Sequence, residues 1–150
     1  MKLLIDADGC PVVDIARKEA ARFGIETIIL CDTSHVFQRE GARTITVSKG
    51  ADSVDFALVN LLSPGDLVIT QDYGLAAMCL ARKALPISQN GMVYNDENID
   101  SLLMARHLAQ KIRRAGGRLR GNSKRTPEQD LAFRETLERC IRQGLNKEEA

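Results

Sequence analysis

Apolar and polar residues fall into blocks along the chain. Leu3-Leu4-Ile5 is an apolar run that stops at Asp6-Ala7-Asp8-Gly9-Cys10-Pro11, the pattern of a buried strand ending in a turn. Val12, Ile15, Ala16, Ala20 and Phe23 then recur at helical spacing, with Pro11 suited to the first helical position and Gly24 to the stop. Residues 25–31 form a second, β-branched apolar run, and residues 44–47 a short alternating one. A helical pattern over 51–62 leads through Ser63-Pro64-Gly65-Asp66 to a fourth strand at 67–70. A helix over 73–83, a short strand at 85–87 and an Asn90-Gly91 turn follow. Two helices are predicted at the end, over 98–115 and 127–143, joined by a Gly-rich basic loop, with the last residues frayed.

Strand and helix alternate through residues 1–97. This predicts an α/β domain with a mostly parallel central sheet, helices on both faces and right-handed crossovers. Residues 98–150 supply a helical C-terminal third with a basic loop over 116–126. The 150 residues are read as one domain. An apolar fraction of 44% and a charged fraction of 27% are those of an ordinary soluble globule. No run approaches a membrane span and the N-terminus has no signal-peptide pattern, so a cytoplasmic location and no membrane partner are expected. Cys10, Cys31, Cys79 and Cys140 make no CxxC pair and are read as reduced thiols, mostly core filler.

In a parallel sheet the strands point one way, and ligands bind outside their C-terminal ends. Asp6 and Asp8 follow the first strand, Asp52 and Asp55 open the helix after the third, and Asp72 follows the fourth. All five belong on one rim, whereas Asp66 precedes its strand and belongs at the opposite edge. Aspartate is also a favoured helix cap, which would account for Asp72, Asp52 or Asp55 singly. Capping does not account for Asp6, nor for a cluster. Neighbouring carboxylates repel, so a cluster needs a shared proton or a cation. Oxygen ligands without His or Cys suit Mg²⁺ or Mn²⁺, which could activate water against a phosphodiester.

The net charge of +1 hides an asymmetry: from Ser101 to Arg125 there are Lys and Arg but no acid. Arg113, Arg114, Arg118, Arg120, Lys124 and Arg125 are the candidate nucleic-acid contacts, RNA being the favoured polyanion. The stretch lacks aromatics for base stacking, and a solvated loop would have the same composition. His35, near the same rim, is a weaker candidate for contacting substrate, and Cys10 for a low-pKa thiol.

Leu4-Ile5-Asp6-Ala7-Asp8-Gly9-Cys10-Pro11, Gly50-Ala51-Asp52-Ser53-Val54-Asp55 and the segment from Gly65 to Ala76 resemble the YaiI/YqxD family of bacterial proteins. Arg113-Arg114-Ala115-Gly116 and Asp130-Leu131-Ala132-Phe133 resemble it too, so the likeness spans nearly the whole chain. That family is grouped with PIN-like domains. The resemblance therefore implies a Rossmann-like three-layer fold and a metal-dependent nuclease. Its acids carry over to Asp6, Asp55 and Asp72 as catalytic residues, with Asp8 and Asp52 as further metal ligands. The mid-chain acid of many PIN nucleases is a Glu on a differently placed helix, so Asp52 and Asp55 depart from the usual pattern. Two other readings stay open: a nucleic-acid-binding module without catalysis, and a haloacid-dehalogenase-like phosphatase with Asp6 as nucleophile. Homo-oligomerisation is left open by the sequence.

Overall fold

A computed structural model describes residues 1–32, 39–50, 53–117 and 124–149. Five strands, β1 (Lys2–Asp6), β2 (Glu26–Asp32), β3 (Ala42–Val47), β4 (Leu67–Ile69) and β5 (Leu85–Ile87), form one sheet in the order β3-β2-β1-β4-β5. Every pairing is parallel. The helices are α1 (Val13–Arg22), α2 (Ser53–Leu61), α3 (Tyr73–Ala81), α4 (Asp96–Arg114) and α5 (Pro127–Glu149). This is the three-layer α/β fold that the alternation of strands and helices predicts.

Alternate residues of β1 point to opposite layers, as the period of a strand requires. Leu3 and Ile5 pack with Ile29 of β2 against α1 and α5, where Ala16, Phe133, Leu137 and Ile141 are buried. Leu4 packs with Ile28, Leu30 and Val68 against α2 and α3, through Leu58, Leu75 and Cys79. Each large side chain buried in these layers contributes about 1.5–3 kcal/mol. The strand β1 is therefore covered on both faces, which is why its sequence is continuously apolar. The helix α4 lies outside the layers. Its first turns pack on α3 and the loop before α4, through Ala76, Tyr94 and Ile99.

Several boundaries differ from the sequence reading, for local reasons. Pro11 lies in a turn, and α1 begins two residues later without a side-chain cap. The helix α4 starts at Asp96 because Asn95 and Asn98 form a reciprocal capping box, each side chain accepting from the other's backbone N–H. The C-terminus does not fray at residue 143. The helix α5 runs to Glu149, and the Met1 ammonium pairs with Glu148 at 2.6 Å. The four cysteines are free, and all but Cys10 are buried. Among the described residues no helix is long and apolar enough to cross a membrane.

Asp66 lies at the N-terminal edge of the sheet, away from the rim acids. It is 2% exposed, accepts from the backbone N–H of Lys2 at 3.1 Å and of Ser63 at 2.8 Å, and pairs with the Lys2 ammonium. It ties the start of β1 to the turn before β4. Replacing it by alanine leaves these donors without an acceptor and should cost about 3 kcal/mol. Chemical denaturation of Asp66→Ala measures this, and a loss below about 1 kcal/mol would contradict the role.

Candidate functional site

The strand order places a topological switch point between β1 and β4. The chain moves outward from β1 to β2 and β3, then returns across the sheet to β4 and β5. At such a point the following loops diverge and leave a crevice beyond the strand ends. Parallel pairing of Ile5 with Ile69 brings the next residues, Asp6 and Thr70, side by side. The Thr70 hydroxyl donates to Asp6 Oδ2 at 2.8 Å and accepts from the Asp72 N–H at 3.0 Å. The Thr70 N–H donates to the Ile87 carbonyl, and the Thr70 carbonyl accepts from the Tyr94 hydroxyl at 3.2 Å. Thr70 is thus held by four hydrogen bonds at three atoms while it aims Asp6.

Asp72 caps α3. Its Oδ1 accepts from the Leu75 N–H at 3.1 Å and lies 3.5 Å from Arg106 Nη1 on α4. The capping reading of Asp72 is therefore correct, and the same carboxylate also meets Arg106 of α4. Asp8 lies in the turn after β1, where Gly9 adopts a positive φ of 70° that a side chain would disfavour. Asp8 Oδ2 accepts from the Asp32 N–H at 3.0 Å, which joins this turn to the end of β2.

A cavity of about 50 Å³ opens at the switch point, lined among others by Asp6, Asp8, Cys10, Thr70, Gln71 and Gln89. It has room for a few waters. Gln89 follows β5, and its N–H donates to Gln71 Oε1 at 2.8 Å. Its own Oε1 is buried and accepts no hydrogen bond from a described residue. The turn that carries Gln89 is fastened from the far side. Arg125 donates to the Gln89 carbonyl at 2.7 Å and to Asn90 Oδ1 at 2.8 Å, and pairs with Asp130 of α5 at 2.6 Å. Gly91 packs so closely on α5 that a Cβ would lie 2.8 Å from the Ala132 carbonyl oxygen.

Burial pushes the Asp6 carboxyl up from 3.8 to about 6; the Thr70 hydrogen bond opposes this, and the charges of Asp72 and Asp8 add to it. Cys10 is pushed up to about 11, chiefly by burial, so its thiol stays protonated at neutral pH and is no thiolate nucleophile. Cys79, beneath the sheet's other layer, is pushed up to about 12 by burial and by the charges of Asp55 and Asp6. Both acids therefore bear on one buried thiol.

The structure brings Asp6, Asp8 and Asp72 to the same edge. Asp55 is half-buried in the first turn of α2 and is not among the residues that line the cavity. Asp52, His35, Arg118 and Arg120 lie outside the described residues. Arg113, Arg114 and Lys124 are exposed. Arg125 differs from the expected loose loop cation: its guanidinium is engaged by Gln89, Asn90 and Asp130. Two site residues are not singled out by sequence reasoning. Gln89 carries no charge signal, and Arg106 is one cation among many on α4. The only hint for Arg106 is its spacing of seven residues from Arg113, which puts both on one side of the helix.

Among the described residues no group of three or more His, Cys, Asp or Glu is gathered closely enough to hold a metal ion. The donors that are present still suit a hard cation. Mg²⁺ is commonly bound by one or two carboxylates with water completing its shell. Asp6, a carboxyl that burial leaves poorly solvated, and the buried Gln89 Oε1 line one small cavity, and both are oxygen donors.

The chain belongs to the family described as "Uncharacterized BCR, YaiI/YqxD family", whose model matches residues 4–143. It is 55% identical over 141 residues to a UPF0178 protein of Exiguobacterium sibiricum, covering 94% of this chain and 96% of that relative. It is 52% identical over 137 residues to a UPF0178 protein of Ruminiclostridium cellulolyticum, covering 91% and 90%. Among solved structures it is similar to Rae1 (YacP) from Bacillus subtilis, with a TM-score of 0.43 and 14% identity over the full length of both chains.

The raised Asp6 pKa makes a directional prediction for stability. Its folded value lies above the unfolded one, so its contribution is fully present below about pH 4 and is lost as pH rises through about 6. In metal-free protein, Asp6→Asn should remove this dependence and raise stability at neutral pH by about 1–3 kcal/mol. Thermal denaturation across this pH range checks it; a variant less stable than wild type at neutral pH would contradict the assignment.

Proposed function

We propose that this protein is a divalent-metal-dependent nuclease that hydrolyses phosphodiester bonds, with RNA as the favoured substrate and structured DNA as the other candidate. The observation that carries this reading is the Asp6–Thr70–Asp72 chain of hydrogen bonds at the switch point between β1 and β4. It sets two carboxylates at the edge where an open α/β sheet binds its ligand. Activity is argued from that site and not from the fold, because one fold carries many chemistries.

Asp6 and Gln89, which line one cavity, would hold Mg²⁺ or Mn²⁺ with water completing its shell, and Asp8, Asp72, Asp52 and Asp55 are the further ligands proposed from the family resemblance. The bound ion would supply an activated water and would neutralise charge on the phosphate. The chain's own residues do the rest. Thr70 fixes the carboxylate of Asp6 and so limits the rotation that would misplace a ligand. Arg106 lies against Asp72 with about half of its side chain exposed, and a phosphate entering the crevice would compete for it. Arg113 continues the same side of α4, and Arg114 and Lys124 are exposed close by in sequence, so the nucleic-acid backbone would be tracked away from the acids.

A second reading is a nucleic-acid-binding module without catalysis. It is favoured by one observation: Asp72 Oδ1 is already used by the α3 cap and Arg106. The phosphatase reading loses support, since Asp66, the acid it would need near the site, is buried at the opposite edge.

One assay separates the readings. Purified protein is incubated with RNA and DNA substrates in Mn²⁺ or in EDTA, alongside Asp6→Asn and Asp72→Asn. The proposal expects Mn²⁺-dependent cleavage that falls about 100-fold or more in each variant, the loss expected when roughly 3 kcal/mol of transition-state stabilisation is removed. Binding without cleavage under every condition would support the second reading instead. In the same preparations Arg113→Ala should weaken RNA retention and make its salt dependence shallower, by about 0.7 in the log–log slope for one lost single-strand phosphate contact.

A further inference from the structure

The helix α4 has a side that the site does not use. Its first half is anchored by Ile99, Leu102 and Leu103. From Met104 to Gly117, however, every residue except Ala109 is exposed. Met104, Leu108 and Ile112 are 58%, 51% and 44% exposed. Their spacing of four puts them on one stripe, turned away from the side that carries Arg106. Isolated exposed apolar residues are ordinary, but three in line on one helix face make a patch that favours a partner.

The charges on the stripe indicate which partner. Asp100 continues it at the N-terminal end and Glu97 lies beside it; Lys111 lies beside Ile112 at the C-terminal end. Acid first and base last is also what the helix dipole favours, and that alone needs no partner. Yet none of Glu97, Asp100 and Lys111 forms an ion pair with a described residue. A polyanion would be repelled by the acidic end and would gain nothing from Met104 and Leu108. A second copy of α4 laid parallel would set acid against acid. Laid antiparallel, it sets Asp100 beside Lys111 of the partner subunit and Met104 against Leu108 of the partner subunit, and a two-fold axis repeats each contact.

We infer that α4 is the seam of an isologous dimer, in which Met104 and Leu108 of two copies of this chain pack antiparallel across the two-fold axis, with Asp100 and Lys111 matched at the ends and Ile112 at the rim. A 19-residue helix is about 28 Å long, so a two-helix seam buries less than the roughly 800 Å² per partner of a standard interface. The dimer is therefore reversible and dissociates on dilution. The Asp72-facing side of α4 stays outside the seam, so this inference stands or falls apart from the nuclease reading.

Sedimentation velocity on the full chain over a wide concentration range tests it. The weight-average mass should climb towards twice the 16.5 kDa of one chain. Leu108→Glu, at an exposed position, should keep the protein monomeric while circular dichroism confirms that it folds. Asp100→Lys and Lys111→Asp should each weaken association roughly tenfold (about 1.4 kcal/mol), and the two together should restore it. Wild type that stays monomeric throughout overturns the inference, as does dimerisation unaffected by Leu108→Glu. A double charge variant no stronger than the single ones overturns the antiparallel arrangement. A monomer whose RNA retention falls with Leu108→Glu would assign the stripe to nucleic acid and overturn the dimer.

Discussion

One hydroxyl joins the two halves of the sheet at their C-terminal edge. Thr70 donates to Asp6, at the end of β1, and accepts from the N–H of Asp72, the residue that caps α3. The contact exists because β1 and β4 are parallel neighbours in a register that ends with Asp6 beside Thr70. The rest of the structure is arranged around keeping that register. Both faces of β1 are sealed by apolar layers, Asp66 fixes its far end, and Tyr94 and the carbonyl of Ile87 hold Thr70 from the β5 side. Removing the hydroxyl would leave Asp6 more mobile and would leave the Asp72 amide without its acceptor.

The same constraint explains the electrostatics. Asp6 is buried enough to hold its proton up to about pH 6, although the Thr70 hydrogen bond favours the ionised form. A carboxyl in that position costs stability at neutral pH unless something positive meets it. Among the described residues no cation pairs with Asp6: Arg106 is at Asp72, Arg125 is fastened to the Gln89 turn, and Lys2 is at the opposite edge. A structural role alone gives no reason to keep a poorly solvated acid beside a cavity. A ligand that is positive, or that brings a positive ion with it, does.

Much of this is legible in the sequence because it depends on strand direction. Apolar runs that end in Asp6 and in Thr70-Gln71-Asp72 report a parallel sheet with acids at one edge, and Asp66 before its strand reports the other edge. The parts that escape depend on contacts between segments distant in sequence. Gln89 reaches the cavity because Arg125 and Gly91, answering to α5, fix a turn after a three-residue strand. Arg125 has the composition of a loop cation, yet Asp130 and the Gln89 turn capture it. The helix α5 continues past residue 143, where Leu145 packs against the layer that covers one face of β1. The side of α4 on which Arg106 meets Asp72 follows from how Ile99 and Tyr94 seat the helix, which periodicity alone does not reveal.

Asp6 is a carboxyl that burial leaves poorly solvated, and we propose that a divalent cation is what meets it. Carboxyl ¹³C NMR of the protein, titrated with and without Mg²⁺, reads that group directly. The account predicts a midpoint of about 6 for Asp6 in metal-free protein, falling on saturation with Mg²⁺ as the ion favours the carboxylate. A midpoint at the ordinary 3.8, or one near 6 that Mg²⁺ leaves unmoved, would contradict it.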